Sequence, residues 1–182
     1  YAVSPTGADH MHNFWDGGME KEPLGKDLQG FGIYTSMPQN QLNADKVRAY
    51  MQVSTWSWIS NHLGACQFIP WTNEQRIELV RTITGWETNI YELHLTLQRS
   101  LAIARAFNLR EGLSRADDRL PARAAQPFKS GSINERPVTP EVLQESVSTF
   151  YGMMGWDPDT GVPTRAKLQQ LDIEWVADHL PK

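Results

Sequence analysis

The sequence predicts an all-α fold: an irregular helical domain with a loop-rich N-terminal segment and no substantial sheet. Three observations carry this. Apolar residues recur at steps of three and four in several separate stretches, which is the period of a helix face. Side chains that cap helices stand at the head of these stretches, and glycine closes most of them. No stretch alternates apolar and polar residues for long enough to form a half-buried strand.

Residues 1–43 carry Gly and Pro at short intervals and hold neither period, so they read as ordered loop with short elements. Phe14, Trp15, Phe31, Ile33 and Tyr34 give this segment apolar surface to bury, which argues against disorder. A first helix is expected from Asn43, through Val47, Tyr50, Met51, Ser54 and Trp58, to a left-handed stop at Gly64. A second starts at Thr72, whose spacing to Gln75 is that of a capping box, and ends at Gly85. The third spans about Glu87 to Phe107, with Ile90, Leu93, Leu97, Leu101, Ala104 and Phe107 on one face. The connector FNLREGLSRADDRLPARAAQPFKSGSINERPV is too charged for core and too long for a turn, and reads as an ordered surface wrap. Thr139, Pro140 and Glu141 place a cap, a first-turn proline and a first-turn acid ahead of a helix that stops near Gly155. Thr164 then caps RAKLQQL, and a short last helix holds Trp175 and Val176.

Composition excludes several functions. The 182 residues hold 17 basic and 21 acidic side chains, a net charge of -4, with no basic run to track a phosphate backbone. No nucleic-acid partner is expected. No apolar run approaches the roughly 20 residues of a spanning helix, so no membrane is expected either. One cysteine cannot close an internal disulfide, and the setting reads as cytoplasmic. The chain opens without Met and without a signal-peptide pattern, and reads as part of something larger. Its seven Trp, five Tyr and six Phe fit rings shared with a neighbour.

Few residues invite chemistry. Cys66, in SNHLGACQF, is either a small buried hydrophobe or, just past a glycine-capped helix, one ligand of a metal or cluster site. It could not serve alone, because an iron–sulfur cluster takes about four such ligands. His10 and His12 have a spacing open to a structural pair, a single catalytic histidine, or a two-histidine metal site. Asp9 beside His10 could tune its proton affinity. His62, His94 and His179 read as structural. Arg105, Arg110, Arg115, Arg119 and Arg123 are interleaved with Glu111, Asp117 and Asp118, which reads as a salt-bridged surface or interdomain clamp rather than a phosphate cradle.

Four stretches, in order and spanning nearly the whole chain, resemble the C-terminal part of the tungsten-containing aldehyde:ferredoxin oxidoreductase family. YAVSPTGADH is similar to its tyrosine-to-histidine segment and SNHLGACQF to its second pterin-and-cluster motif, usually written DxxGLC. FNLREGLSRADDRLPAR resembles FNxREGxxRxDDxLPxR, and FYGMMGWDPDTGVPTRAKLQQLDI resembles a closing YxxxGWDxxTGxPTxxxLxxLGL.

The resemblance implies the helical C-terminal portion of a tungstopterin oxidoreductase. Residues 1–43 would face the cofactor pocket, 44–182 would form the helical domain, and the N-terminal pterin-binding domain would lie outside this chain. It implies a tungsten (or molybdenum) bis-pyranopterin and a [4Fe-4S] cluster, with Cys66 as the fourth cluster ligand. Asn61, Gly64, Ala65, Cys66 and Gln67 would contact cofactor. Asn61 stands where the motif has an acid, keeping an acceptor oxygen without the charge, and Ala65 replaces the usual Leu. His10 would move a proton at the substrate carbonyl. Implied partners are the N-terminal part of the same enzyme, ferredoxin or an electron-transfer subunit, a small aldehyde, and further copies in an oligomer. The alternatives are a low-potential reductase of the same superfamily, of the aromatic-ring thioester type, or a helical interaction module that has lost its cofactor.

Overall fold

The computed structural model describes residues 1–182 apart from 8, 11, 12, 40, 128, 131–137 and 182. Its helices are α1 (Lys26–Gln29), α2 (Ala44–Ser57), α3 (Ile59–His62), α4 (Asn73–Thr84), α5 (Ile90–Arg110), α6 (Pro140–Met154) and α7 (Arg165–Gln170). Single turns of 3-10 helix lie at Asp16–Met19, Arg115–Asp117 and Ala122–Ala125, and a longer one at Glu174–His179. Among the described residues no strand forms, and an isolated antiparallel bridge joins Trp156 to Pro163. The all-α expectation holds. Among the described residues no helix is long and apolar enough to cross a membrane.

The caps act where the sequence places them. Asn43, Thr72, Thr139 and Thr164 each accept a hydrogen bond from the backbone N–H three residues on, satisfying a donor the helix itself cannot. Gln75 returns the bond to Thr72, completing a capping box. Gly64, Gly85 and Gly155 take φ of 62°, 71° and 72°. Two boundaries differ from expectation. The first helix is interrupted at Trp58, because the Ser57 hydroxyl donates to the Ser54 carbonyl and the Trp58 N–H turns back to Thr55, tightening the turn. The third begins three residues late, since Asn89 caps it through the Glu92 N–H, and runs on to Arg110.

Helix α2 packs on all sides, which is why its apolar stripe is broad. Val47 and Met51 meet Val147, Phe150, Tyr151 and Met154 of α6. Ala49 and Val53 receive Met19, Leu24, Ile33 and Met37 from the N-terminal segment. Trp56 joins Val80 of α4 and Leu93 and Leu97 of α5. A helix apolar nearly all round belongs at the centre. Ala102 and Ala106 of α5, being small, let Leu168, Leu171, Ile173 and Val176 close onto the far face. Trp15 and Tyr34 stay exposed, at 71% and 72%, although the segment that holds them is otherwise anchored.

The charged connector is not all surface. Asp118 is 6% exposed and pairs with the equally buried Arg105 of α5 at 2.8 Å. Arg105 also donates to the Gly161 carbonyl and the Tyr151 hydroxyl, and Tyr151 donates to Asp118. An alanine Cβ at Gly161 would stand 2.3 Å from Arg105 Nη2 and 2.6 Å from the Tyr151 ring, so glycine is required there. Arg115 reaches the Gln144 and Pro158 carbonyls and the Ser148 hydroxyl. Asn108 holds the Pro5 carbonyl at 2.8 Å. The two most distinctive motifs therefore form a structural clamp. Asp172 takes φ of 56° where the closing motif carries glycine, a conformation that Asp tolerates better than most side chains. The connector at 128 and 131–137 lies outside the described residues.

His94 is buried between α5 and α2, its Nε2 3.3 Å from the Gln52 carbonyl and its Nδ1 2.9 Å from the Gln98 amide. Burial lowers its proton affinity, and the nearby Lys167 ammonium lowers it further against the Gln52 contact. The unfolded chain thus binds this proton more readily than the folded one. The stabilisation is fully present above about pH 6.5 and falls as pH drops below that value toward the depressed folded pKa. We expect the urea midpoint to fall between pH 7.5 and 5.5, and His94→Gln to flatten that slope. An equal slope in both proteins would assign it to other groups.

Candidate functional site

A cavity of about 630 Å³ opens between the N-terminal segment, α2 and α6. Tyr1, Val3, His10, Phe14, Trp15 and Met19 belong to one wall, and Lys46, Val47 and Tyr50 of α2 with Leu143, Val147 and Phe150 of α6 form the other. Gln67 and Phe68, from the loop after α3, reach the same cavity. The N-terminal segment has no regular element to hold it, so side chains fix it instead. Asn13 donates to the Asp9 carbonyl at 2.6 Å and accepts from the Tyr50 hydroxyl at 3.3 Å. Lys46, 6% exposed, meets Asp16 at 2.7 Å. A buried ammonium needs such a partner.

His10 lines this cavity and is itself exposed. The Tyr1 hydroxyl lies 3.2 Å from its Nδ1, and the Trp15 ring meets it edge-on at 6.0 Å. With Nδ1 engaged by Tyr1, Nε2 is the second ring nitrogen. Burial pushes the Tyr50 hydroxyl up to about 12, so it stays a neutral hydrogen-bond donor throughout the working pH range. His12 lies outside the described residues.

The other expected site residues form a loop beside the cavity. Gly64, at φ 62°, ends α3, and the Ala65 N–H returns to the Ser60 carbonyl at 2.8 Å. Gln67 donates from its side chain to Asn61 Oδ1 at 3.1 Å, closing the loop across Cys66. Cys66 is exposed. Its neighbours Phe68 and Ile69 are exposed too, at 84% and 43%. Gln67 shares the cavity with His10, whereas Asn61, Gly64, Ala65 and Cys66 are not among its lining.

An exposed cysteine sulfur fits one corner of an iron–sulfur cluster. Among the described residues no three His, Cys, Asp or Glu side chains gather as a metal site, so the remaining ligands would have to come from elsewhere. Asn61 and Gln67 supply amide groups on the same exposed loop, a donor and acceptor set suited to a pterin edge. Sequence reasoning missed Asp16, Lys46, Tyr50 and Phe150 as site residues. Tyr50 and Phe150 carry only the apolar periodicity of core, and Lys46 meets an acid 30 residues away that no local pattern marks.

A family model described as aldehyde ferredoxin oxidoreductase, domains 2 and 3, matches residues 1–173. A solved structure described as the active site complex BamBC of benzoyl coenzyme A reductase in complex with 1,5-dienoyl-CoA shares the fold, with a TM-score of 0.64 at 24% identity. The alignment covers 87% of this chain and 22% of that one. The chain thus spans about a fifth of the length of that solved relative.

Proposed function

Since the chain belongs to the aldehyde ferredoxin oxidoreductase family, matching its domains 2 and 3, we propose that it is the C-terminal part of an enzyme oxidising aldehydes to carboxylic acids. Aldehyde and water would yield the acid, two protons and two electrons, the electrons passing to ferredoxin or a partner subunit. The observation that carries this is the shared cavity. His10 and Gln67 line it together, and Gln67 adjoins the exposed Cys66.

When bound, a tungsten or molybdenum bis-pyranopterin would supply the two-electron chemistry and a [4Fe-4S] cluster would carry electrons away singly. This chain's residues do the rest. Cys66 would complete the cluster, with Asn61, Gly64, Ala65 and Gln67 contacting cofactor around it. The apolar wall from Val47, Leu143, Val147 and Phe150 would lie against the substrate's carbon skeleton. His10 Nε2 would hold or move the proton at the carbonyl oxygen, its ring steadied by Tyr1. The N-terminal domain of the same enzyme, a cytoplasmic setting and an oligomeric assembly belong to this reading.

In the complete enzyme, Cys66→Ser should lower iron content and weaken the cluster's electron-spin signal more than it lowers tungsten, because iron prefers thiolate to a hard alkoxide. Iron and signal at wild-type levels would leave Cys66 without a ligand role. A second reading is favoured by the fold shared with the benzoyl coenzyme A reductase complex: a low-potential reductase. Reduction of an aromatic thioester by the complete enzyme, without aldehyde oxidation, would select it. Absence of both metals would leave the non-enzymatic interaction module.

A further inference from the structure

We propose that Asn13 is a positioning residue for His10, a role that rests on the aldehyde reading above. Among the described residues from Pro5 to Trp15 there are local turns but no helix or strand, so the place of the imidazole depends on side chains that tie this stretch to the helices. Asn108 of α5 makes one tie, to the Pro5 carbonyl at 2.8 Å. Asn13 makes the nearer one. Its amide donates at 2.6 Å to the Asp9 carbonyl, the oxygen of the peptide bond that leads into His10, and its Oδ1 accepts from the Tyr50 hydroxyl of α2 at 3.3 Å. A peptide unit is planar, so holding its oxygen constrains the Cα of the next residue. His10, Asn13 and Tyr50 all line the same cavity.

The two bonds have a single direction. A backbone carbonyl only accepts, so the Asn13 NH2 must face Asp9 and its oxygen must face Tyr50. Tyr50 must then donate, and burial, which pushes its hydroxyl up to about 12, keeps the proton on it across the working range. Tyr50 is itself anchored, because its ring lies 5.7 Å from that of Phe150, which is 7% exposed in the core between α2 and α6. A chain of contacts thus runs from the core through Tyr50 and Asn13 to the peptide plane before His10. Tyr1, 3.2 Å from Nδ1, orients the ring, whereas Asn13 sets where its stem starts. A proton carrier must stand within hydrogen-bond reach of its target, so a displacement of about 1 Å is enough to cost turnover.

The test uses the complete, metal-loaded enzyme, acetaldehyde as probe, and a double-substitution cycle. Asn13→Asp keeps the side chain's shape and its acceptor for Tyr50 but, as a carboxylate, offers no donor to Asp9. It should lower kcat by roughly 10- to 100-fold while KM changes by less than about twofold. Tyr50→Phe keeps the ring against Phe150 and removes the hydroxyl, and should lower kcat by roughly 2- to 10-fold. In a His10→Ala background both losses should vanish, because a residue that acts through His10 then has nothing to position. A second readout needs no turnover: carbethoxylation of His10 by diethyl pyrocarbonate, followed by mass spectrometry, should speed up several-fold in Asn13→Asp relative to the exposed His62 and His179 of the same chain. Equal losses with and without His10, or a raised KM at unchanged kcat, would overturn the inference and leave aldehyde oxidation standing. If the wild-type enzyme oxidises no aldehyde, the reaction reading falls and the labelling decides: faster labelling keeps Asn13 as the anchor of His10, and an equal rate removes it.

Discussion

Asp118→Ala should lower the melting temperature by roughly 6–20 °C, taking about 3–5 kcal/mol for a broken buried pair and about 2–4 °C per kcal/mol in a chain of this size. Both members are nearly inaccessible, at 7% and 9% side-chain exposure. Without Asp118 the Arg105 guanidinium keeps its contacts to Gly161 and Tyr151 but loses its counter-charge, and the Tyr151 hydroxyl loses its acceptor. Arg105 also lies over the Tyr151 and Trp156 rings at 5.1 and 5.6 Å, so it cannot swing to water without opening that core. Burial and the Asp118 contact raise the Tyr151 proton affinity, so the phenol remains neutral and offers no replacement charge. The loss is therefore mostly the cost of an orphaned charge. Replacing both partners, as in Arg105→Met with Asp118→Leu, should recover a large part of it. A single variant melting within 2 °C of the wild type would show that the pair is solvated.

That pair also marks where sequence stopped being legible. Helix starts were readable because capping is local: Thr72 and Gln75, or Thr139 and Pro140, contain the whole interaction within one turn. The interruption at Trp58 was not, since it depends on whether a serine hydroxyl competes for a carbonyl within a helix. Asp118 looked like surface because its neighbours Asp117 and Arg119 are exposed, and its partner is on another helix. The site divides the same way. Cys66 and His10 announce themselves by chemistry, whereas Lys46, Tyr50 and Phe150 wear the pattern of an ordinary helix and acquire a role only when α2 and α6 close on the N-terminal segment. Resemblance supplied the cofactors; the fold supplied the cavity's shape and charge.

His10→Ala, in the complete enzyme, should cut turnover by at least about 100-fold and by up to roughly 10,000-fold while leaving tungsten and iron in place. Converting an aldehyde to an acid requires a proton to be placed or taken as oxygen adds to the carbonyl carbon, and a histidine side chain is suited to either task. His10 lines the cavity, and Tyr1 lies 3.2 Å from its Nδ1, so the ring has a preferred pose and one nitrogen remaining. Tyr1→Phe removes that anchor without removing the imidazole. Its loss should be smaller, because the imidazole remains in the cavity and only its pose is loosened. His12→Ala should do much less than either, since the mechanism asks for one proton carrier. Equal losses at His10 and His12, accompanied by loss of metal, would make the two histidines a metal site; full activity in His10→Ala would take the residue out of the chemistry and leave the Tyr50 hydroxyl, which lines the same cavity, as the next group to test.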